Sequence, residues 1–128
     1  MSTHWDREWY QTFQDFRRRL VHLFDRVLDD IESKTLKGFF TLDGQAILLE
    51  DYLEIRPERH DQVARYVKAG RLIVGPWYVM PDEWLVSGEA LVRISGWAEA
   101  SHEILVAFLP VPVSYVIFSA MSASCRKS

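Results

Sequence analysis

The chain has 128 residues, enough for one domain with a core of its own. Its hydrophobic fraction of 48%, charged fraction of 26% and net charge of −3 are those of an ordinary soluble globular protein. They leave no basic footprint for nucleic acid. The single cysteine, Cys125, excludes an internal disulfide and a cysteine-based zinc cluster. No charged-then-apolar leader opens the sequence, so a cytoplasmic location is the expectation.

The run Thr3-His4-Trp5-Asp6-Arg7-Glu8-Trp9-Tyr10 concentrates chemical capacity at the start of the chain. His4 and Asp6 are two positions apart, so in an extended segment both side chains leave the same face. An imidazole and a carboxylate there suit zinc, although two ligands do not fill a tetrahedral shell. Trp9 offers a flat apolar face on which a ring could stack. The plainer reading of the same run is an amphipathic N-terminus whose aromatics anchor it to the core.

From about Gln11 to Glu32 the spacing predicts a helix. Phe13, Phe16, Leu20, Leu23, Val27, Leu28 and Ile31 form its apolar stripe, and Arg17, Arg18, Asp25 and Asp29 take the other face. Arg17-Arg18-Arg19 reads as a solvated face rather than a nucleic-acid patch, and His22, His60 and His102 as solvated helix positions. Phe39 to Leu42 reads as a short buried strand ended by the turn Asp43-Gly44. Ala46 to Leu53 looks helical and stops near Arg56, because Pro57 follows. Pro57 then opens another helix with Val63, Tyr66 and Val67 as its stripe and Gly70 as a left-handed stop. Leu72-Ile73-Val74 is a short apolar strand running into Gly75-Pro76-Trp77.

Alternating strands and helices predict an α/β unit with parallel strands. Ligands gather beyond the carboxyl ends of such strands. Three predicted strand ends carry chemistry: His4/Asp6, Asp43/Gln45, and Trp77 followed by Asp82-Glu83. They are expected to converge on one rim. Taken singly, Asp43-Gly44 reads as a turn and Asp82-Glu83 as a helix N-terminal charge pair. From Val111 to Phe118 the apolar residues are too interrupted for a bilayer span of about 20 residues, so no membrane is expected as a partner.

The N-terminal run, with Leu42-Asp43-Gly44-Gln45, Leu49-Glu50-Asp51-Tyr52, Arg56-Pro57-Glu58, Gly70-Arg71-Leu72 and the segment Gly75 to Glu83, closely resembles glycoside hydrolase family 38. These are zinc-dependent α-mannosidases, and the resemblance is nearest the bacterial branch that includes mannosylglycerate hydrolases. It covers Ser2 to Arg93. It implies a fold class: α/β, the partial N-terminal segment of a parallel-stranded, β/α barrel-like glycoside hydrolase domain. It also implies zinc as cofactor, His4 and Asp6 as metal ligands, Trp9 as the platform under the mannose ring and Asp82 near the substrate. The substrate class is an α-mannoside carbohydrate, cleaved with retention.

The chain departs from that pattern in places. Ser2 stands where the family has its first histidine, and after Arg93 no counterpart of the nucleophilic aspartate or of the acid/base residue is found. No residue of this chain is therefore predicted to be catalytic. Residues 1–93 read as the N-terminal part of the family's catalytic domain, and residues 94–128 as an off-family tail, with a frameshift or premature stop as the expected origin. Such a fragment is expected to be inactive by itself and prone to self-association through uncovered strand edges and apolar surface. The alternative is a non-catalytic interaction or sugar-binding module.

Overall fold

The computed structural model describes residues 1–75 and 77–94. Residues 95–128, which hold most of the expected tail with His102, Cys125 and the apolar run Val111–Phe118, lie outside the described residues. The chain folds in the order β1 (Ser2–Thr3), α1 (Phe13–Glu32), β2 (Phe40–Leu42), α2 (Ile47–Leu53), a 3-10 turn (Pro57–Arg59), α3 (His60–Lys68) and β3 (Leu72–Val74). Residues 88–94 add a further helical stretch. The strands form one parallel sheet in the order β1-β2-β3. An α/β unit with parallel strands, as the alternation predicts, is the observed architecture.

Local chemistry sets the element ends. Thr12 caps α1, its Oγ1 accepting the Asp15 N–H at 3.3 Å while donating to Asp15 Oδ2 at 2.7 Å. The helix therefore starts just after the predicted Gln11. Pro57 disfavours helical conformation at Arg56, which takes φ −123° and ψ 58°, so α2 closes ahead of it, and a 3-10 turn precedes α3. Gly70, at φ 66°, supplies the left-handed stop after α3.

The core lies between the sheet and the helices. Phe24, Leu20, Leu28, Leu42, Leu48, Leu49, Tyr52 and Leu72 are its largest fully buried side chains. The inward face of α1 is rotated slightly from the predicted stripe. Val21 and Phe24 are buried, whereas Leu23 is only partly so, because Phe24 stacks on Tyr52 at 4.6 Å between ring centroids. In β3, Ile73 is 39% exposed between buried Leu72 and Val74, so one face of this edge strand carries no layer among the described residues.

Arg17 corrects the expectation of a solvated arginine face. It is buried, with Nε donating to the Asp51 carbonyl at 3.2 Å and Nη2 lying 2.7 Å from Glu54 Oε2, a charge contact not aligned as a hydrogen bond. Its aliphatic stem belongs to the core side of α1 while its head caps polar groups of α2. Asp25, also predicted outward, is half-buried. It accepts the Tyr52 hydroxyl at 2.8 Å and Arg56 Nη2 at 3.2 Å. His22 and His60 are exposed, as expected.

This packing makes two predictions. Leu28→Ala empties a fully buried site and is expected to cost about 2–5 kcal/mol, whereas Ile73→Ala is expected to cost about 1 kcal/mol or less. Urea denaturation of the two variants measures the contrast.

The second concerns alkaline pH. Burial, and then a hydrogen bond to Glu50, pushes the Tyr78 hydroxyl up from 10.0 to about 12. Burial and the bond to Asp25 push Tyr52 up in the same direction. Each phenol holds its proton more tightly folded than unfolded; for Tyr78 this stabilisation is complete below pH 10.0 and is lost as pH rises through about 12. Tyr78→Phe should flatten the fall of the urea midpoint across that window. An unchanged slope would contradict the assignment.

Candidate functional site

The carboxyl ends of the three strands continue as paired chain rather than diverging. After β2, Asp43 and Gly44 take φ values of 29° and 68°, a turn that short polar and glycine residues tolerate best. Gln45 then bridges in parallel to Trp77, with the Trp77 N–H donating to the Gly44 carbonyl at 3.0 Å. The Ala46 and Ile47 amides donate to the Trp77 and Tyr78 carbonyls at 2.8 and 3.0 Å. The segment after β3 is thereby laid alongside the Asp43–Gln45 turn.

That turn also receives the N-terminal run. The Trp5 N–H donates to Asp43 Oδ2 at 2.6 Å, and Gln45 Nε2 donates to both the Trp5 carbonyl (2.9 Å) and Asp43 Oδ2 (3.0 Å). Gln45 is buried, and its Oε1 accepts the Met80 N–H at 3.3 Å. One buried amide side chain thus joins all three strand ends.

His4 projects from this frame into solvent, with its side chain 75% exposed. Its Nε2 lies 3.4 Å from Asp6 Oδ1, and its Nδ1 lies 3.4 Å from Asp43 Oδ1. These groups, with Trp5, Gln45 and Met80, line an open cleft of about 360 Å³. Farther along the run, Arg7 makes a two-pronged ion pair with Asp51, Nε to Oδ2 at 2.7 Å and Nη2 to Oδ1 at 2.9 Å. Its guanidinium also sits 4.5 Å from the Phe13 ring centroid. The hydrogen bonds to Asp51 outweigh partial burial and raise the Arg7 pKa above its ordinary value.

The His4–Asp6 pair fits part of a zinc shell. Two N/O donors each about 2.0–2.1 Å from a tetrahedral ion stand about 3.4 Å from one another, and that is the Nε2–Oδ1 separation here. Asp43 approaches the other ring nitrogen and so faces away from the same point. Among the described residues no group of three or more His, Cys, Asp or Glu side chains could hold a metal by itself. The donor chemistry of the pair is compatible with two positions of such a shell.

Of the residues singled out from sequence, His4 and Asp6 meet in the cleft, as does the Asp43/Gln45 strand end. Trp9 does not line the cleft. It is 75% exposed and meets Tyr10 edge-on at 5.9 Å, and Tyr10 in turn meets Phe16 at 5.3 Å. Asp82 is exposed outside the cleft, where its Oδ1 accepts the Trp84 N–H at 3.1 Å. Convergence of the strand ends therefore extends to Val79 and Met80 but not to Asp82-Glu83 among the cleft-lining residues.

Sequence reasoning missed the wall formed by Trp5 and the brace formed by Arg7 and Asp51. Trp5 alternates with His4 and Asp6, and its ring does pack toward the core, meeting Phe16 edge-on at 6.2 Å, while its N–H and carbonyl are bound by the turn that borders the cleft. Arg7 and Asp51 are far apart in sequence, and no local spacing pairs them.

Known proteins are similar to this chain in sequence and fold. The model of the glycosyl hydrolases family 38 N-terminal domain matches residues 2–95. A curated relative from Halalkalibacterium halodurans, named "Putative mannosylglycerate hydrolase", is 47% identical over 91 residues, which is 71% of this chain and 10% of the relative. An alpha-mannosidase from Enterococcus faecalis V583 superposes with a TM-score of 0.75 at 42% identity, over 80% of this chain and 12% of that one. A second family 38 glycosyl hydrolase structure from Enterococcus faecalis gives a TM-score of 0.73 at 37% identity, over 87% of this chain and 13% of that one. The chain thus spans roughly a tenth of the length of the relatives it matches. With the motifs from His4 to Glu83 in order, the parallel α/β unit in place and the family match running through both, the chain belongs to glycoside hydrolase family 38, as part of that family's N-terminal domain.

Proposed function

We propose that this chain supplies the opening part of the catalytic domain of a zinc-dependent, retaining α-mannosidase, a glycosidase of mannose metabolism. Its parallel unit is read as the first section of a barrel-like α/β domain. The observation that carries this reading is the His4–Asp6 pair, 3.4 Å apart in a cleft at the carboxyl edge of a parallel sheet.

In this reading His4 Nε2 and Asp6 Oδ1 hold the metal. Bound zinc would supply Lewis-acid contact to the cis hydroxyls of mannose and favour ring distortion toward an oxocarbenium-like state. The chain's own residues position. Asp43 and Gln45 hold the His4–Asp6 segment, and Arg7 with Asp51 anchors its far end on α2. Trp9 is assigned the platform under the sugar ring on the family resemblance; its exposed indole lies three residues beyond Asp6, outside the lining of the cleft. Asp82 is assigned a place near the substrate. The nucleophile and the acid/base residue have no counterpart in these 128 residues, so the isolated chain is inactive in this account. The proposed setting is cytoplasmic, with an α-mannoside as the partner and neither nucleic acid nor membrane. No described helix is long and apolar enough to cross a bilayer.

A second reading, an interaction module that self-associates or docks on a partner, has its own support. Trp84 (96% exposed) and Leu85 (82%) are adjacent large apolar residues, exposed among the described residues just after the cleft-forming segment.

Calorimetric titration with zinc separates the two. The metal reading predicts stoichiometric binding that disappears in His4→Ala; no binding, with oligomers that grow with concentration, supports the interaction module instead. An aryl α-mannoside assay on the same purified chain should show no turnover, and clear turnover would refute the proposed inactivity.

A further inference from the structure

We infer that Gln45 is a positioning residue that couples the two walls of the cleft, so that the N-terminal run and the Val79–Met80 wall dock and open as one cooperative unit. This concerns the metal-free chain and goes beyond the metal reading above.

The Gln45 side chain is buried and bonds to both walls. On one side its Nε2 donates to the Trp5 carbonyl at 2.9 Å and to Asp43 Oδ2 at 3.0 Å. On the other its Oε1 accepts the Met80 N–H at 3.3 Å. Its partners allow the amide a single orientation. A main-chain carbonyl and an ionised carboxylate only accept, and a main-chain N–H only donates. A flipped amide would set like against like at all three contacts.

Each wall depends on this side chain. The Trp5 carbonyl and the Met80 N–H have no other hydrogen bond among the described residues. If the Trp5 segment lifts away, Nε2 loses one of its two acceptors; if the Met80 segment lifts away, Oε1 is left buried without a donor. A buried polar atom stripped of its partner is unfavourable, so opening one wall loosens the network that holds the other. The coupling is reciprocal: what steadies the Met80 wall also steadies the N-terminal run.

Native-state amide hydrogen exchange of the metal-free, 128-residue chain across low denaturant tests this. The Trp5 and Met80 amides have different acceptors, Asp43 Oδ2 and Gln45 Oε1, so no shared bond forces them to behave alike. In the wild-type chain their protection should agree within about threefold and follow one denaturant slope, the mark of a single opening unit. Gln45→Met keeps the length of the side chain and removes both polar ends. It should speed exchange at Trp5 about 10-fold, although the Trp5 N–H is not bonded to Gln45. Asp43→Gly, which tolerates φ 29°, should speed exchange at Met80 but add nothing there in a Gln45→Met background.

Separate slopes for Trp5 and Met80 in the wild-type chain overturn the proposal, and that result needs no variant to fold. So does unchanged Trp5 exchange in a Gln45→Met chain whose Leu28 and Leu48 amides stay protected. Zinc gives an independent arm. Bound at His4 and Asp6, it should slow exchange at Met80 in the wild-type chain but not in Gln45→Met, and equal slowing in both contradicts the coupling. If zinc does not bind while Trp5 and Met80 open together, the metal reading fails and the role of Gln45 stands.

Discussion

The Asp43 carboxylate is the constraint on which the site depends. Strand β1 is only two residues long and pairs with β2 alone, so its ladder cannot orient the residues beyond Thr3. The 2.6 Å bond from the Trp5 N–H to Asp43 extends that attachment past the strand end, and the Gln45 bonds complete it. Both partners lie on a turn whose backbone is already locked to the Trp77 segment. The bond to a charged acceptor is of the stronger kind, contributing about 1.5–3 kcal/mol. Without it and the Gln45 bond, no described hydrogen bond would tie the backbone between His4 and Asp6 to the turn, and their 3.4 Å separation would have no persistence.

Much of the fold was legible because the periodicities are plain. The stripe of α1, the Pro57 break, the Gly70 stop and the apolar runs of β2 and β3 all arise from local chemistry, and the parallel pairing from alternation. The illegible part was tertiary. Arg17 looks like one of three adjacent surface arginines, yet the position of α2 gives its head a carbonyl and a carboxylate to meet. Phe24 replaces Leu23 in the core because Tyr52 offers it a stacking partner from another helix. Periodicity assigns a face, but the neighbour decides its centre.

The site divides along the same line. The spacing of His4 and Asp6 suffices to put their side chains on one side, and Asp43-Gly44 announces a turn. That the turn's carboxylate addresses the back of the imidazole required the fold, since it depends on how β1 registers against β2, Ser2 with Thr41 and Thr3 with Leu42. A shift of that register by one residue would carry His4 and Asp6 to the other face together. The placing of His4 and Asp6 and the sheet register are therefore one specification, and the core residues Phe40 and Leu42 serve the cleft by holding that register.

Family membership is carried by the motifs and the superposition; the proposed metal role of His4 and Asp6 depends on whether the turn holds the N-terminal run. Amide hydrogen exchange at Trp5 tests that most directly. With its N–H on Asp43 and its carbonyl on buried Gln45, Trp5 should exchange far more slowly than the exposed Trp9 amide region of the same run. Exchange at Trp5 as fast as in an unstructured peptide would contradict the account, because His4 and Asp6 would then have no frame.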